Sequence, residues 1–158
     1  MSGYLSALLP AGSARRWVVS GFYRHPLTFG LALLRSAYAS WRLSGRLAGL
    51  PVRVSPSQKL AIRCDRGARV EMSGCLYVAP WGGARGLSSI TVGSEAILRL
   101  QGDFTIGHNV HLSVSSGGLL EIGGVRLSSG SGITCDARVM AAADIRIGED
   151  TIIAWGVF

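Results

Sequence analysis

The chain has 158 residues, of which 48% are hydrophobic and only 16% are charged, so it is not an intrinsically disordered polypeptide. Glycine is the unusual residue, with 22 copies against 5 prolines and no collagen-like period. Three cysteines exclude a disulfide scaffold, and their odd number favours a reducing compartment, so we expect a cytoplasmic protein.

Positive charge is concentrated in the N-terminal third. The net charge is +7, and residues 1–50 contain six arginines but no aspartate, glutamate or lysine. Residues 51–158 are close to neutral. This distribution predicts a local basic surface, and it gives no reason to expect nucleic acid as a partner.

Residues 1–50 are predicted to form a basic amphipathic helical segment. Pro26 is expected to interrupt it, and the strongest helical period extends from Leu27 to Leu47. Arginines break up the apolar stretches, so neither a membrane-spanning helix nor a signal peptide is predicted. Two interpretations stay open: the segment lies on an anionic membrane face, such as the inner face of the membrane, or it packs on the rest of the protein with its arginines in solvent.

Residues 51–158 have β-strand character. Aliphatic and β-branched residues alternate with glycine and small polar residues. A tetrad made of an apolar residue, a polar residue, Val or Ile, and Gly occurs four times, which indicates an internal repeat. The four tetrads are Ile90–Gly93, Phe104–Gly107, Leu120–Gly123 and Ile145–Gly148.

A period of six residues is visible toward the end of the chain. Cys135, Ala141, Ile147 and Ile153 form one row of this period. A strand and a tight turn every six residues, three times per coil, build a triangular prism with roughly 18 residues per coil. The row is expected to point inward, so Cys135 is predicted to be a buried apolar residue. Residues 51–158 would then form about five coils of a parallel β-helix.

The hexads of the form Ile-Gly-x-x-Thr-x and Ile-Ala-x-x-Val-x, within residues 129–158, resemble those of the hexapeptide-repeat acyltransferases. The fold of that family is a left-handed parallel β-helix. The resemblance is closest to the O-acetyltransferases of exopolysaccharide clusters and to the maltose-type acetyltransferases. It covers residues 90–158 well and residues 51–89 weakly, with residues 1–50 as an N-terminal extension.

The resemblance implies an acyltransferase of polysaccharide biosynthesis. A histidine would act as general base on a saccharide hydroxyl, which attacks the thioester of acetyl-CoA, while backbone amides stabilise the oxyanion. The resemblance further implies a homotrimer with its active sites between subunits, acetyl-CoA as acyl donor, and no metal.

The catalytic histidine of the family would lie beyond Phe158, so the β-helix is expected to be C-terminally incomplete. Acetyl transfer by this chain is therefore expected to be negligible unless His111 serves as the base. None of the three histidines, His25, His108 and His111, matches the family position, and His111 is the candidate surrogate base. His108 and His111 flank a hexad turn, where they are either a metal pair or solvated side chains. The alternative function is a catalytically inactive, truncated β-helix that acts as a scaffold or trimerising module.

Three residues are candidates for substrate binding: Thr134, Asp136 and Trp155. Thr134 and Asp136 fall where sugar acetyltransferases often carry acceptor-contacting Asn residues, and they either contact the acceptor or solvate a turn. Trp155 stands at a turn position and either lines a substrate groove or packs at a trimer interface. Cys64 and Cys75 have no second pair of ligands, so no metal site is predicted.

Overall fold

One helix and thirteen short strands make up the described part of the chain. The computed structural model describes residues 26–80, 85–123, 132–149 and 151–154. The helix, α1, spans Pro26–Ser44. The strands are β1 (Val52–Val54), β2 (Gln58–Cys64), β3 (Arg69–Met72), β4 (Leu76–Val78), β5 (Gly86–Val92), β6 (Ile97–Gln101), β7 (Phe104–Ile106), β8 (His111–Val114), β9 (Leu119–Gly123), β10 (Gly132–Ile133), β11 (Arg138–Ala141), β12 (Asp144–Ile147) and β13 (Ile152–Ile153).

The strands form three parallel sheets that wind the chain into a β-solenoid. Sheet A contains β1, β4, β7, β10 and β13; sheet B contains β2, β5, β8 and β11; sheet C contains β3, β6, β9 and β12. The chain visits the sheets in the same order in each layer, so each strand pairs in parallel with its equivalents in the adjacent layers. The predicted fold class, mainly β and a parallel solenoid preceded by a helix, is confirmed. Its left-handed sense stays a prediction.

The tetrads found in the sequence supply much of the solenoid core. Their two apolar positions are alternate residues of a strand, so both side chains point to the same face. Three tetrads place fully buried pairs inside the solenoid, and the fourth pair is half-buried against the same core. The buried pairs are Ile90 with Val92, Phe104 with Ile106, and Leu120 with Ile122, and the half-buried pair is Ile145 with Ile147.

The coils are longer than the six-residue period predicts. In sheet A the register partners Val52 and Leu76 are 24 residues apart, and Leu76 and Phe104 are 28 apart, where the period predicts roughly 18. Some of the additional residues lengthen strands, since β2 and β5 each have seven residues, and others lie in the connections between strands, such as that from Val78 to Gly86. In sheet A the partners Gly132 and Ile152, which are 20 residues apart, come nearest to the period. This pair lies in the stretch where the sequence shows the period.

Glycines occur where one coil touches the next. A Cβ at Gly132 would lie 2.5 Å from the carbonyl oxygen of Thr105, and a Cβ at Gly74 would overlap the backbone of Gly102. In both cases the obstacle is the backbone of the adjacent coil, which cannot move aside without disturbing the sheet. The glycine excess therefore reflects close packing between coils as well as turn geometry.

Helix α1 covers the open edge of β1. The hydroxyl of Ser40 accepts a hydrogen bond from the Val52 amide (3.0 Å) and donates one to the Val52 carbonyl (3.2 Å). The hydroxyl of Ser36 accepts a hydrogen bond from the Val54 amide (2.9 Å). Both serines are buried. Because an unpaired strand edge invites further strand pairing, these contacts close this end of the solenoid.

The opposite face of α1 is apolar and exposed. Its side chains are spaced by three or four residues, so they form one stripe along the helix, the apolar stripe. The stripe consists of Leu27 (87% exposed), Leu31 (55%), Leu34 (69%), Tyr38 (54%) and Trp41 (56%). The helix thus packs on the solenoid and also presents an apolar surface, so the two interpretations of this segment are compatible. Among the described residues, no helix is long and apolar enough to cross a membrane.

Candidate functional site

The candidate site lies at the corner where sheet A turns into sheet B, the A–B corner. In the third and fourth layers this corner is formed by residues 107–110 and 134–137, which stack on each other. The Asp136 amide donates to the His108 carbonyl (3.1 Å), and the His111 amide donates to the Ala137 carbonyl (2.9 Å). Side chains at equivalent positions of the two turns therefore lie side by side.

The imidazole of His111 lies on the outer surface of sheet B. His111 is the first residue of β8 and is the register partner of Ser89 in β5. Its Nδ1 lies 2.7 Å from the Ser89 hydroxyl oxygen. On the other side its register partner is Arg138 of β11, which is exposed. The structure gives Nε2 no hydrogen-bond partner among the described residues.

A cavity of about 500 Å³ opens at the same corner in the first layer. The described residues that line it include three cations, Arg35 of α1, Lys59 of β2 and Arg85, and no carboxylate. Arg35 is positioned by the strand edge, since its Nη1 donates to the carbonyls of Pro56 (3.3 Å) and Gln58 (3.1 Å). Lys59 and Arg85 are exposed. A concave surface with cations and no acid attracts phosphate groups.

The predicted substrate-binding residues Thr134 and Asp136 both lie in the turn 134–137. Thr134 is half-buried, and its hydroxyl oxygen is buried with no hydrogen-bond partner among the described residues. Asp136 is exposed and has a left-handed backbone (φ 47°). Its Oδ1 accepts a hydrogen bond from Asn109 Nδ2 (2.8 Å). Trp155 lies outside the described residues, as does His25. The structure thus brings Thr134 and Asp136 to the same corner as His111, without testing their roles.

The prediction that Cys135 belongs to the inward-pointing row is wrong, since Cys135 is not part of the described solenoid core. Strand β10 ends at Ile133, so Cys135 falls in the following turn, where its free thiol is half-buried. It lies next to His108 of the stacked turn and to Asp136, and one ligand atom from each of the three residues lies within 4.8 Å of the others. His108 and His111 do not form the predicted metal pair among the described residues. His111 hydrogen-bonds to Ser89, whereas His108 lies beside Cys135 and Asp136.

Sequence reasoning did not single out Ser89, Lys59 or Arg85. Ser89 meets His111 through the register of β5 and β8, although the two residues are 22 positions apart. Lys59 and Arg85 meet because β2 and β5 are adjacent strands of sheet B. In the sequence, the only indication is that both cations stand at the start of a strand. This indication places them together only when β2 and β5 are known to be paired.

Comparison with known proteins adds no assignment: no family model, no curated protein and no solved structure matches this chain. The resemblance to the hexapeptide-repeat acyltransferases therefore depends on the hexads of the sequence.

Proposed function

We propose that the protein is an acyltransferase that moves an acetyl group from acetyl-CoA to a saccharide hydroxyl. The observation that carries the proposal is that one corner of the solenoid holds both a basic cavity and an outward-facing imidazole. Lys59 of β2 and His111 of β8 are separated by one strand, β5, which corresponds to at least about 10 Å across the sheet. This separation suits a donor with phosphates at one end and a thioester at the other.

The cavity is proposed to hold phosphate groups of the coenzyme. Arg35 is fixed by its two hydrogen bonds to backbone carbonyls, so binding would not require it to be ordered first. Lys59 and Arg85 add two exposed cations to the same concave surface. Arg138, beside His111, would add a further positive charge near the reacting end.

His111 is proposed to act as the general base. When Nδ1–H donates to the Ser89 hydroxyl oxygen, the lone pair of the neutral ring lies on Nε2. Nε2 then removes the proton of the saccharide hydroxyl while its oxygen attacks the thioester carbonyl carbon. The tetrahedral intermediate collapses, the C–S bond breaks, and the coenzyme leaves as the thiol after it receives the proton from the imidazolium.

Thr134 is proposed to contact the saccharide, because the turn 134–137 stacks on the turn that leads into His111. Asp136, whose Oδ1 accepts a hydrogen bond from Asn109, is proposed as a second contact with the saccharide. Trp155 is included on the resemblance alone. The resemblance also supports a homotrimer, in which a neighbouring solenoid would complete the groove.

The saccharide acceptor, or its lipid-linked precursor, is proposed to lie at an anionic membrane surface on which α1 docks. The apolar stripe would enter the interfacial region, with Tyr38 and Trp41 as aromatic anchors. Arg42 and Arg46 are exposed near the C-terminal end of the stripe. Since residues 1–50 contain six arginines and no acidic residue, the charge is complementary to anionic headgroups.

Acetyl-CoA binding and the release of CoA in the presence of maltose or a β-galactoside test the proposed reaction. We expect binding that weakens as salt rises, and a roughly tenfold loss of affinity in the Lys59→Ala/Arg85→Ala double variant. The matched control is Arg69→Ala, which removes an exposed cation from β3 on sheet C. Equal affinity of the double variant and the wild type would refute the assigned cavity. A trimer that binds no acetyl-CoA would favour the alternative, a non-catalytic scaffold.

Co-sedimentation with vesicles tests the membrane surface. We expect the protein to bind phosphatidylglycerol-containing vesicles more strongly than pure phosphatidylcholine vesicles, and Leu34→Glu/Trp41→Glu to abolish this binding. Met140→Glu is the control, because Met140 is 68% exposed on sheet B, away from α1. If the double variant sediments with anionic vesicles as the wild type does, the stripe is not the docking surface.

A further inference from the structure

We propose that His108, Cys135 and Asp136 form a binding site for a divalent transition-metal ion, with Zn²⁺ as the ion that best fits the ligands. The three side chains offer an imidazole nitrogen, a thiolate sulfur and a carboxylate oxygen, and these atoms lie within 4.8 Å of one another. Zn²⁺ accepts all three ligand types in tetrahedral sites. Neither His111 nor the basic cavity belongs to the site, so the general base and the coenzyme cavity of the proposed acyl transfer do not depend on it. Asp136 is the one residue that it shares with the proposed saccharide contacts, and a bound ion would take it away from the saccharide.

The backbone holds the ligands in place before any ion binds. His108 comes from the turn between β7 and β8, and Cys135 occupies the equivalent position of the turn between β10 and β11. Hydrogen bonds between the two turns fix their stacking, including that from the Asp136 amide to the His108 carbonyl. The left-handed backbone of Asp136 directs its side chain next to the same corner. Binding would therefore need only small side-chain movements.

The distance between two of the ligands is close to that of a coordinated pair. His108 Nε2 lies 3.8 Å from Asp136 Oδ2, and two ligand bonds of about 2.0–2.1 Å at a tetrahedral angle would separate their ligand atoms by about 3.3 Å. The observed distance of 3.8 Å between His108 Nε2 and Asp136 Oδ2 is too long for a hydrogen bond. The His108 ring is only 13% exposed, and its Nδ1 is buried without a hydrogen-bond partner among the described residues. An ion bound by Nε2 would give this imidazole a strong partner on the side of Asp136, whereas Nδ1 would keep its present surroundings.

A supporting residue orients the carboxylate. Asn109 Nδ2 donates to Asp136 Oδ1 (2.8 Å), which leaves Oδ2 on the side of His108. Hydrogen bonds of this kind from neighbouring residues to the ligands are a regular feature of metal sites. In this arrangement Asp136 serves the ion and not the saccharide.

The bound ion would link the third and fourth layers of the solenoid. One ligand comes from the third layer and two come from the fourth, so the ion would join segments that are 27 residues apart in sequence but adjacent in space. Three protein ligands leave one tetrahedral position on the exposed side, beside Asp136, for water or an added ligand. We therefore expect the ion to raise the thermal stability of the folded chain.

Titration of untagged, reduced, metal-free protein with Co²⁺ tests the site, since Co²⁺ reports thiolate ligation by a charge-transfer band and tetrahedral geometry by its visible absorption. We expect one equivalent of Co²⁺ to bind with both signals and to be displaced by Zn²⁺. Cys135→Ser should remove the charge-transfer band, and His108→Gln should weaken binding at least roughly tenfold. Cys64→Ser is the control, because Cys64 is a free thiol of β2 outside the cluster.

Asp136→Asn is a second test variant that should fold normally, because Asn tolerates the left-handed backbone of this position. A loss of metal binding in this variant could therefore not be attributed to misfolding. We expect this variant to keep the fold, to bind Co²⁺ more weakly, and to lose the Zn²⁺-dependent rise in Tm seen with the wild type. Failure of the wild type to bind one equivalent would overturn the proposal. So would a charge-transfer band that survives Cys135→Ser but disappears in Cys64→Ser.

Discussion

The hydroxyl of Ser40 makes two hydrogen bonds to a single residue of the first strand, accepting from the amide of Val52 and donating to its carbonyl. One helix side chain thus replaces a neighbouring strand at the edge of sheet A. Ser36 continues the pattern one residue pair along, at the Val54 amide. A helix face of small buried residues, including Ala32 and Ala39, allows this close approach.

Removal of these hydroxyls should destabilise the fold. Ser40→Ala leaves two buried backbone groups of Val52 without a partner, so we expect a loss of about 1–3 kcal/mol in the free energy of unfolding. Ser44→Ala is the matched control, because the Ser44 hydroxyl bonds to the Ser40 carbonyl and to the backbone of Arg46, and not to β1. Urea denaturation measures both. Equal effects of the two substitutions would mean that α1 is not an edge cap.

Glycines at coil contacts should not tolerate a methyl group. Gly132→Ala would push a Cβ against the Thr105 carbonyl, and we expect a loss of about 1–3 kcal/mol from the strain of overpacking. Gly148→Ala provides the comparison, since a Cβ there meets nothing within 4 Å. Thermal denaturation of the two variants should show a clearly lower Tm for Gly132→Ala only. A Gly132→Ala protein as stable as the wild type would show that the coils are not in such close contact.

The substitution Glu95→Gly should stabilise the protein. Glu95 has a positive φ of 56° at a turn position where the preceding layer has Gly67, also with positive φ. A left-handed backbone costs a residue with a Cβ about 1–2 kcal/mol, and the greater flexibility of unfolded glycine offsets about 0.5–1 of this, so Glu95→Gly should stabilise by roughly 0.5–1 kcal/mol. Glu95→Ala keeps the Cβ and should not stabilise. If Glu95→Ala and Glu95→Gly change the free energy of unfolding equally in urea denaturation, the left-handed backbone of residue 95 is not the cause of the stabilisation.

Two half-buried thiols should make stability fall at alkaline pH. Burial is the largest cause that raises the pKa of both Cys64 and Cys75, partly offset by the positive charges of Arg42 and Arg53 respectively. The unfolded chain ionises these thiols first as the pH rises. The stability that they contribute is therefore present below their ordinary pKa and is lost as the pH rises through it toward the raised, folded value.

Urea denaturation of the reduced protein from neutral pH to about pH 10 measures this loss. Replacement of both thiols in Cys64→Ala/Cys75→Ala should flatten the alkaline part of the profile. Cys135→Ala is the control, because it leaves both of these thiols in place. An alkaline fall that the double variant keeps in full would have to come from other groups.

The sequence predicted the inward residues of the solenoid better than its coils. Alternation along a strand identifies pairs such as Leu120 and Ile122 wherever they occur, because the strand period of two does not depend on which sheet the strand joins. Coil length depends on how many residues each turn uses, and the successive coils differ by up to eight residues in sheet A. A single repeat length could therefore not align them.

The candidate sites were less predictable, because they form between layers. His108 and Cys135 meet only when the turns at 107–110 and 134–137 stack, and the variable coil length hides that register in the sequence. The role of the α1 serines in capping the strand edge could not be predicted from the sequence for a related reason. Ser36 and Ser40 look like ordinary small helix residues until β1 is placed beside them.

The most direct test of the proposed acyl transfer compares the wild type with His111→Gln for CoA release from acetyl-CoA in the presence of maltose or a β-galactoside. The amide of Gln can still hydrogen-bond to Ser89 but cannot act as a base, so we predict that kcat falls by roughly 10²–10⁴-fold. Acetyl-CoA affinity should stay unchanged, because the basic cavity is intact. Turnover by His111→Gln equal to that of the wild type, or no turnover by either protein while both bind acetyl-CoA, would contradict the account.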